Sequence, residues 1–132
     1  MSASTVAPTD VEPSTLLNVV GLGWDAADAN CQIMHNDGAG TCTKIDLGGS
    51  FPVPSADRTN VYRLELISPR GMTQKVYYHV TNLTTDVTAE GEITTNLPAT
   101  SNSLAPRGYM SAGGTSSVVG IGLNAVHIDA RL

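Results

Sequence analysis

One stretch limits the fold more than any other: residues 23–47, GWDAADANCQIMHNDGAGTCTKIDL, which holds the single Trp, both Cys and the densest turn chemistry of the chain. Two alternating runs, residues 29–35 and 41–47, flank Asn36-Asp37-Gly38-Ala39-Gly40. Asn, Asp and Gly tolerate positive φ, so these five residues can reverse the chain while the runs pair antiparallel. Side chains alternate across a strand, so Cys31, Ile33 and His35 share one face and Gln32 and Met34 the other. In the second run Ile45 and Leu47 point one way, opposite Lys44 and Asp46. The pattern predicts a half-buried β-hairpin.

Cys31 and Cys42 fall on its two arms. A two-residue turn at Asn36-Asp37 places them opposite each other, and a turn nearer Gly38 shifts the register. Two readings stand: a disulfide between Cys31 and Cys42, or two small buried hydrophobes. Zinc is not expected, because neither Cys has a close Cys or His partner in sequence.

The rest of the chain repeats the β theme. Residues 1–14 are mostly Ser, Thr, Ala and Pro, with Pro8 and Pro13 excluding a helix interior. They read as an extended arm whose Val6, Pro8, Val11 and Pro13 pack on another chain. Residues 16–23 form a short apolar run closed by Trp24, the expected buried packing anchor. Residues 48–57 are a Pro-interrupted loop. Residues 61–67 alternate, residues 74–83 and 87–97 read as strands, residues 106–111 as a short strand or bend, and residues 118–128 as a last strand with glycines at 120 and 122. No segment holds a helical period. Seven or so short strands indicate an all-β fold over residues 15–132: an antiparallel β-sandwich, jelly-roll-like, with the extended N-terminal arm.

Composition excludes several functions. The formal charge is −5 with seven Lys and Arg, so nucleic acid is not an expected partner. No apolar run approaches the ~20 residues of a membrane-spanning helix, and no charged-then-apolar leader opens the sequence. A soluble product with no membrane partner is expected. No Ser stands in Gly-x-Ser-x-Gly, the acids Glu12, Glu65, Glu90 and Glu92 are dispersed, and the glycine-rich residues 113–117 lack a phosphate-binding Lys. No catalytic residue, cofactor or metal is therefore assigned, and no enzyme is expected. His35, His79 and His127 read as rim imidazoles. Asp25, Asp28, Asn30 and Asp37 read as turn formers whose spacing does not match a calcium loop. Asn82-Leu83-Thr84 fits a glycosylation acceptor, but with no export signal the chain is not expected to meet the glycosylation machinery.

Taken together, Gly23-Trp24-Asp25-Ala26-Ala27-Asp28, Met34-His35-Asn36-Asp37-Gly38, Thr43-Lys44-Ile45-Asp46-Leu47-Gly48 and Phe51-Pro52 resemble β-sandwich domains of tailed-bacteriophage virion structural proteins. Thr94-Thr95-Asn96-Leu97-Pro98, Leu104-Ala105-Pro106-Arg107-Gly108-Tyr109-Met110-Ser111 and Gly113-Gly114-Thr115-Ser116-Ser117-Val118 continue the similarity, which spans most of the chain from about residue 8. The sequence departs from those domains in carrying Cys31 and Cys42 and in opening almost at the domain itself. The resemblance implies a homotrimer on the virion surface, made in the host cytoplasm and displayed on the particle. Two roles fit: a capsid decoration (cement) protein bound to the major capsid protein, or the receptor-binding domain of a tail or head fibre. The second would grip a host surface glycan through Trp24, Asp25, Asn36 and Tyr109.

Overall fold

The alternating runs become six strands in the computed structural model, which describes residues 1–2, 10–54, 59–71, 74–111 and 120–129. In chain order these are β1 (Val19–Gly23), β2 (Gln32–Asn36), β3 (Thr43–Asp46), β4 (Tyr62–Ile67), β5 (Val76–Asn82) and β6 (Val87–Ile93), preceded by a single 3-10 turn at Pro13–Thr15. They form two antiparallel three-stranded sheets, β1-β2-β3 and β4-β5-β6. The chain is all-β, as its composition implies. Spatial neighbours are sequence neighbours in both sheets, so the described strands make two meanders and none carries a jelly-roll crossover.

Both sheets contribute to one apolar cluster: Val20, Cys31 and Ile33 from the first, Tyr78, Val80 and Ile93 from the second, with Phe51 and Leu97 from the connections. Leu22, Trp24, Ile45, Leu64 and Leu66 pack around it, partly buried. The even residues of β4 and β5 and the odd residues of β2 and β3 thus face inward, as a period of two requires. Phe51 is held there by the loop after β3, which turns back along the start of β2. Cys31 N–H donates to Phe51 O at 2.7 Å and Val53 N–H to Ala29 O at 3.1 Å. The Phe51 and Tyr62 rings meet at 6.2 Å between centroids, and the Tyr62 hydroxyl donates to Pro52 O.

β2 is buried along its whole length, because its outer face is covered too. Residues 12–16 cross that face, and Leu16 packs on Val19, Met34 and Cys42. Cys42 N–H donates to Ser14 O at 2.7 Å, and Ser14 N–H to Asp25 Oδ1 at 2.9 Å. At the other described end of the arm, Met1 and Ser2 bridge β1 to Ala105. Val20 N–H donates to Met1 O, Ser2 N–H to Ala105 O and Ala105 N–H to Ser2 O, each at 3.0 Å. Pro13 therefore lies on the chain's own first sheet and Val11 is bonded to Tyr109; Val6 and Pro8 lie outside the described residues.

Two expectations need correction. Residues 106–111 form neither a strand nor a bend, and residues 120–128 form no strand; residues 118 and 119 lie outside the described residues. Trp24, following the last residue of β1, packs partly buried against the rim of the core. Asn82 is 1% exposed and cannot accept a glycan in the folded chain. Its Nδ2 donates to Ser50 O at 3.0 Å and to Asn60 Oδ1 at 3.2 Å, and its Oδ1 accepts from Thr84 N–H at 3.1 Å. It ties the long connection between the sheets to β5.

One glycine in the second sheet is required by packing. Gly91 lies opposite Tyr78, and a Cβ there would stand 2.5 Å from the Tyr78 hydroxyl and 2.6 Å from Cζ. The ring uses the space a side chain would take. Gly91→Ala should therefore displace a core aromatic and lower stability by about 1–3 kcal/mol, read from chemical denaturation with an unchanged m-value.

Candidate functional site

The hairpin register decides what the cysteines can do. β2 pairs with β3 as Gln32↔Asp46, Ile33↔Ile45, Met34↔Lys44 and His35↔Thr43. Cys31 thus falls opposite Leu47 and Cys42 opposite Asn36, about 16 Å apart along the ladder at ~3.3 Å per residue. They also lie on opposite faces, Cys31 in the inter-sheet core and Cys42 under Leu16. Both thiols are free, and the disulfide reading is excluded on distance and direction. Burial pushes each thiol up to about 11, with a nearby Asp25 charge adding to the shift at Cys42.

Asn36 sets that register and is spent in doing so. It is fully buried. Its Oδ1 accepts from Gly38 N–H at 2.6 Å and from Asn18 N–H at 3.2 Å, and its Nδ2 donates to Ala39 O at 2.7 Å. Gly38 has φ +110, and a Cβ there would lie 2.9 Å from the Asn18 side chain, so the turn needs glycine. Asn96 clamps the hairpin from the far end of β6. It donates to His35 O at 3.1 Å and Thr43 Oγ1 at 2.8 Å, and accepts from Asp37 N–H at 3.0 Å.

Asp25 is likewise committed. Lys44 Nζ lies 3.2 Å from Asp25 Oδ2 and 2.5 Å from Asp28 Oδ1, and Asp28 Oδ2 accepts from Asp25 N–H at 2.8 Å. Partial burial works against the Asp25 charge, but bonds from Ser14 and Lys44 outweigh it and hold the carboxyl below its ordinary value. The cation between these carboxylates is the chain's own ammonium. Among the described residues no group of three or more His, Cys, Asp or Glu is arranged to hold a metal ion.

Trp24 and Tyr109 do come together, with Val11 and Pro13, on the walls of a cleft of about 480 Å³ whose floor includes Leu22 and Leu64. It lies where the edge of β1 meets the edge of β4, the open side of the two-sheet core. Tyr109 forms one wall because its hydroxyl is gripped by the arm, donating to Val11 O at 2.8 Å and accepting from Val11 N–H at 3.0 Å. Ser111 Oγ donates to Asp10 Oδ1 at 2.8 Å, and Glu12 Oε2 accepts from Ala26 N–H at 2.9 Å. These polar groups of the rim hold the wall together. Sequence reasoning joined Trp24 and Tyr109 to Asp25 and Asn36; the fold keeps the first two in one site and uses the other two elsewhere.

The backbone supplies what the side chains do not. Along an antiparallel strand, hydrogen-bonding direction alternates. Val20 bonds Met1 on the side away from β2, so Leu22, two residues on, turns its N–H and C=O the same way. Leu83 N–H donates to Val61 O at 2.8 Å, which directs Arg63 and Glu65 toward β5 and Leu64 toward the open edge. Neither Leu22 nor Leu64 has a backbone partner on that side among the described residues. Among the described residues, then, the floor is an apolar slot between two strand edges that lack backbone partners. Leu22 and Leu64 were missed as site residues because each reads as core from its alternation. Comparison with protein-family models, curated proteins and solved structures finds no match for this chain.

The thiols give a pH test. A group whose folded pKa is raised contributes stability that is complete below its unfolded value, here 9.0, and lost as pH climbs toward about 11. The native protein should resist alkylation at both cysteines at neutral pH and lose stability steeply above pH 9. Rapid native labelling of either thiol near pH 7 would contradict this placement.

Proposed function

We propose that the protein is a structural component of a tailed-bacteriophage virion: a decoration protein that binds the outside of the head as a homotrimer, against the major capsid protein, and stabilises the shell. The resemblance of its turn and strand segments supports the class. One observation carries the assembly role. Residues 120–129 are exposed throughout and form no helix or strand, yet they hold Ile121, Leu123, Val126 and Ile128, each between 54% and 67% exposed. Four large apolar side chains in ten residues are costly to leave in water, at ~25 cal/mol per Å² of apolar surface. Such a segment suits a chain that finishes folding against neighbours.

A decoration protein needs breadth of contact and matching symmetry, and it acts by mass action, binding the assembled lattice in preference to its free subunits. The polar side chains described above are engaged in holding the fold, which fits that role better than chemistry. A second reading has its own support: Trp24 and Tyr109 present aromatic surface in one cleft, the arrangement a sugar-binding fibre domain would use.

Stoichiometry and heat separate the two. Under the decoration reading the protein is present in fixed proportion to the capsid subunit, stripped heads rupture at lower temperature, and adding the protein back restores them. Stripped heads of equal robustness that fail to adsorb to cells would replace it with the fibre reading.

A further inference from the structure

We infer that residues 120–129 of one copy are the missing edge strand of the next, docking in the slot between β1 and β4 of a second copy of this chain. The inference rests on the assembly reading above and names its contact. Acceptor and donor are both visible. The acceptor is the half of the sandwich's open side that Met1 and Ser2 do not fill. They occupy the β1 edge at Val19 and Val20; further along that edge Leu22 faces the cleft and has no backbone partner there among the described residues. Leu22, Trp24 and Leu64, which close the core elsewhere, are left partly uncovered there.

The donor has what the slot lacks. An extended segment offers a free row of N–H and C=O groups, and adding it to an open edge supplies backbone bonds while alternate side chains enter pockets. Ile121 and Leu123 stand two residues apart, on one face of such a strand. Ten extended residues span about 33 Å, more than the slot needs. No backbone bond ties residues 120–128 to the other described residues.

The occupant is a second copy because of where the donor starts. Ile121 lies beside Gly108 at the mouth of its own cleft, its Cδ1 3.8 Å from where a Gly108 Cβ would be. From there the segment leaves its own slot with every residue exposed. Each copy thus presents, among its described residues, a slot without backbone partners and an exposed apolar segment at the same end; passed from copy to copy, the segment makes a heterologous contact that closes into a ring if its rotation allows. A ring of three would meet the trimer of the assembly reading.

Trp24 is the only Trp and lines the slot, so its emission reports occupancy directly. The test combines sedimentation velocity with Trp24 fluorescence on the full chain, on a full-length Leu123→Asp, Val126→Asp variant, and on a synthetic peptide of residues 120–129. Both substituted positions are exposed, so the fold should tolerate them. The parent should self-associate with rising concentration and shift Trp24 emission as it does. The variant should associate about a hundredfold more weakly, and the peptide should restore the shifted emission in it. Equal association of parent and variant would overturn the inference, as would a peptide that leaves Trp24 unchanged. So would a parent that stays monomeric while the substitutions alter Trp24, which would put the segment in its own slot. A Trp24 response to soluble glycan but not to peptide would give the cleft to the fibre reading. Head binding by the parent scores the assembly reading separately, because self-association is read without heads.

Discussion

The register in which β2 pairs with β3 is the constraint on which the rest of the structure depends. β2 is the central strand of its sheet and is covered on both faces, by the second sheet on one side and by residues 12–16 on the other. A slip of one residue in β2 would send Cys31 and Ile33 outward and bring Gln32 and Met34 into the core. The position is fixed by side-chain amides rather than by turn length alone. Asn36 holds the turn from within, accepting from Gly38 and Asn18 and donating to Ala39, while Asn96 fastens both strands from beyond β6.

The same logic joins the sheets. Asn82 is fully buried and bonded to Ser50, Asn60 and Thr84, so the connection between β3 and β4 is attached to β5 as well as to β2. A buried amide left without partners costs about 1–3 kcal/mol, which makes these residues sensitive markers of correct assembly. With one side of the core sealed in this way, its unfinished part lies at the edges of β1 and β4. That is where the described arm residues, the 107–111 segment and Trp24 converge, and where the backbone of Leu22 and Leu64 has no partner among the described residues.

Much of this was legible in the sequence, and the omissions have physical reasons. The hairpin, the β class and the Pro-rich connection after it follow from alternation and turn chemistry. The separation of the cysteines was legible too. With Ile33 facing Ile45, parity puts Cys31 and Cys42 on opposite faces in every register that keeps the apolar residues together. The depth of the turn was not legible, because it depends on bonds from Asn36 to Asn18 and from Asn96 to His35 and Thr43, contacts between distant parts of the chain. Nor was the pairing of Trp24 with Tyr109, which requires the arm to grip the Tyr109 hydroxyl. Residues 118–128 read as a strand because alternation records the capacity for burial; it says nothing about which surface provides it.

Amide hydrogen exchange in dilute solution tests the central claim, that the chain is a two-sheet core left open between β1 and β4. At a concentration low enough to keep the chain monomeric, Leu22 and Leu64 should exchange rapidly, while Gly21, Gly23, Arg63 and Glu65 beside them are protected by the ladders. Protection of Leu22 and Leu64 equal to that of their neighbours under those conditions would mean that the edge is closed within one chain, and would contradict the account.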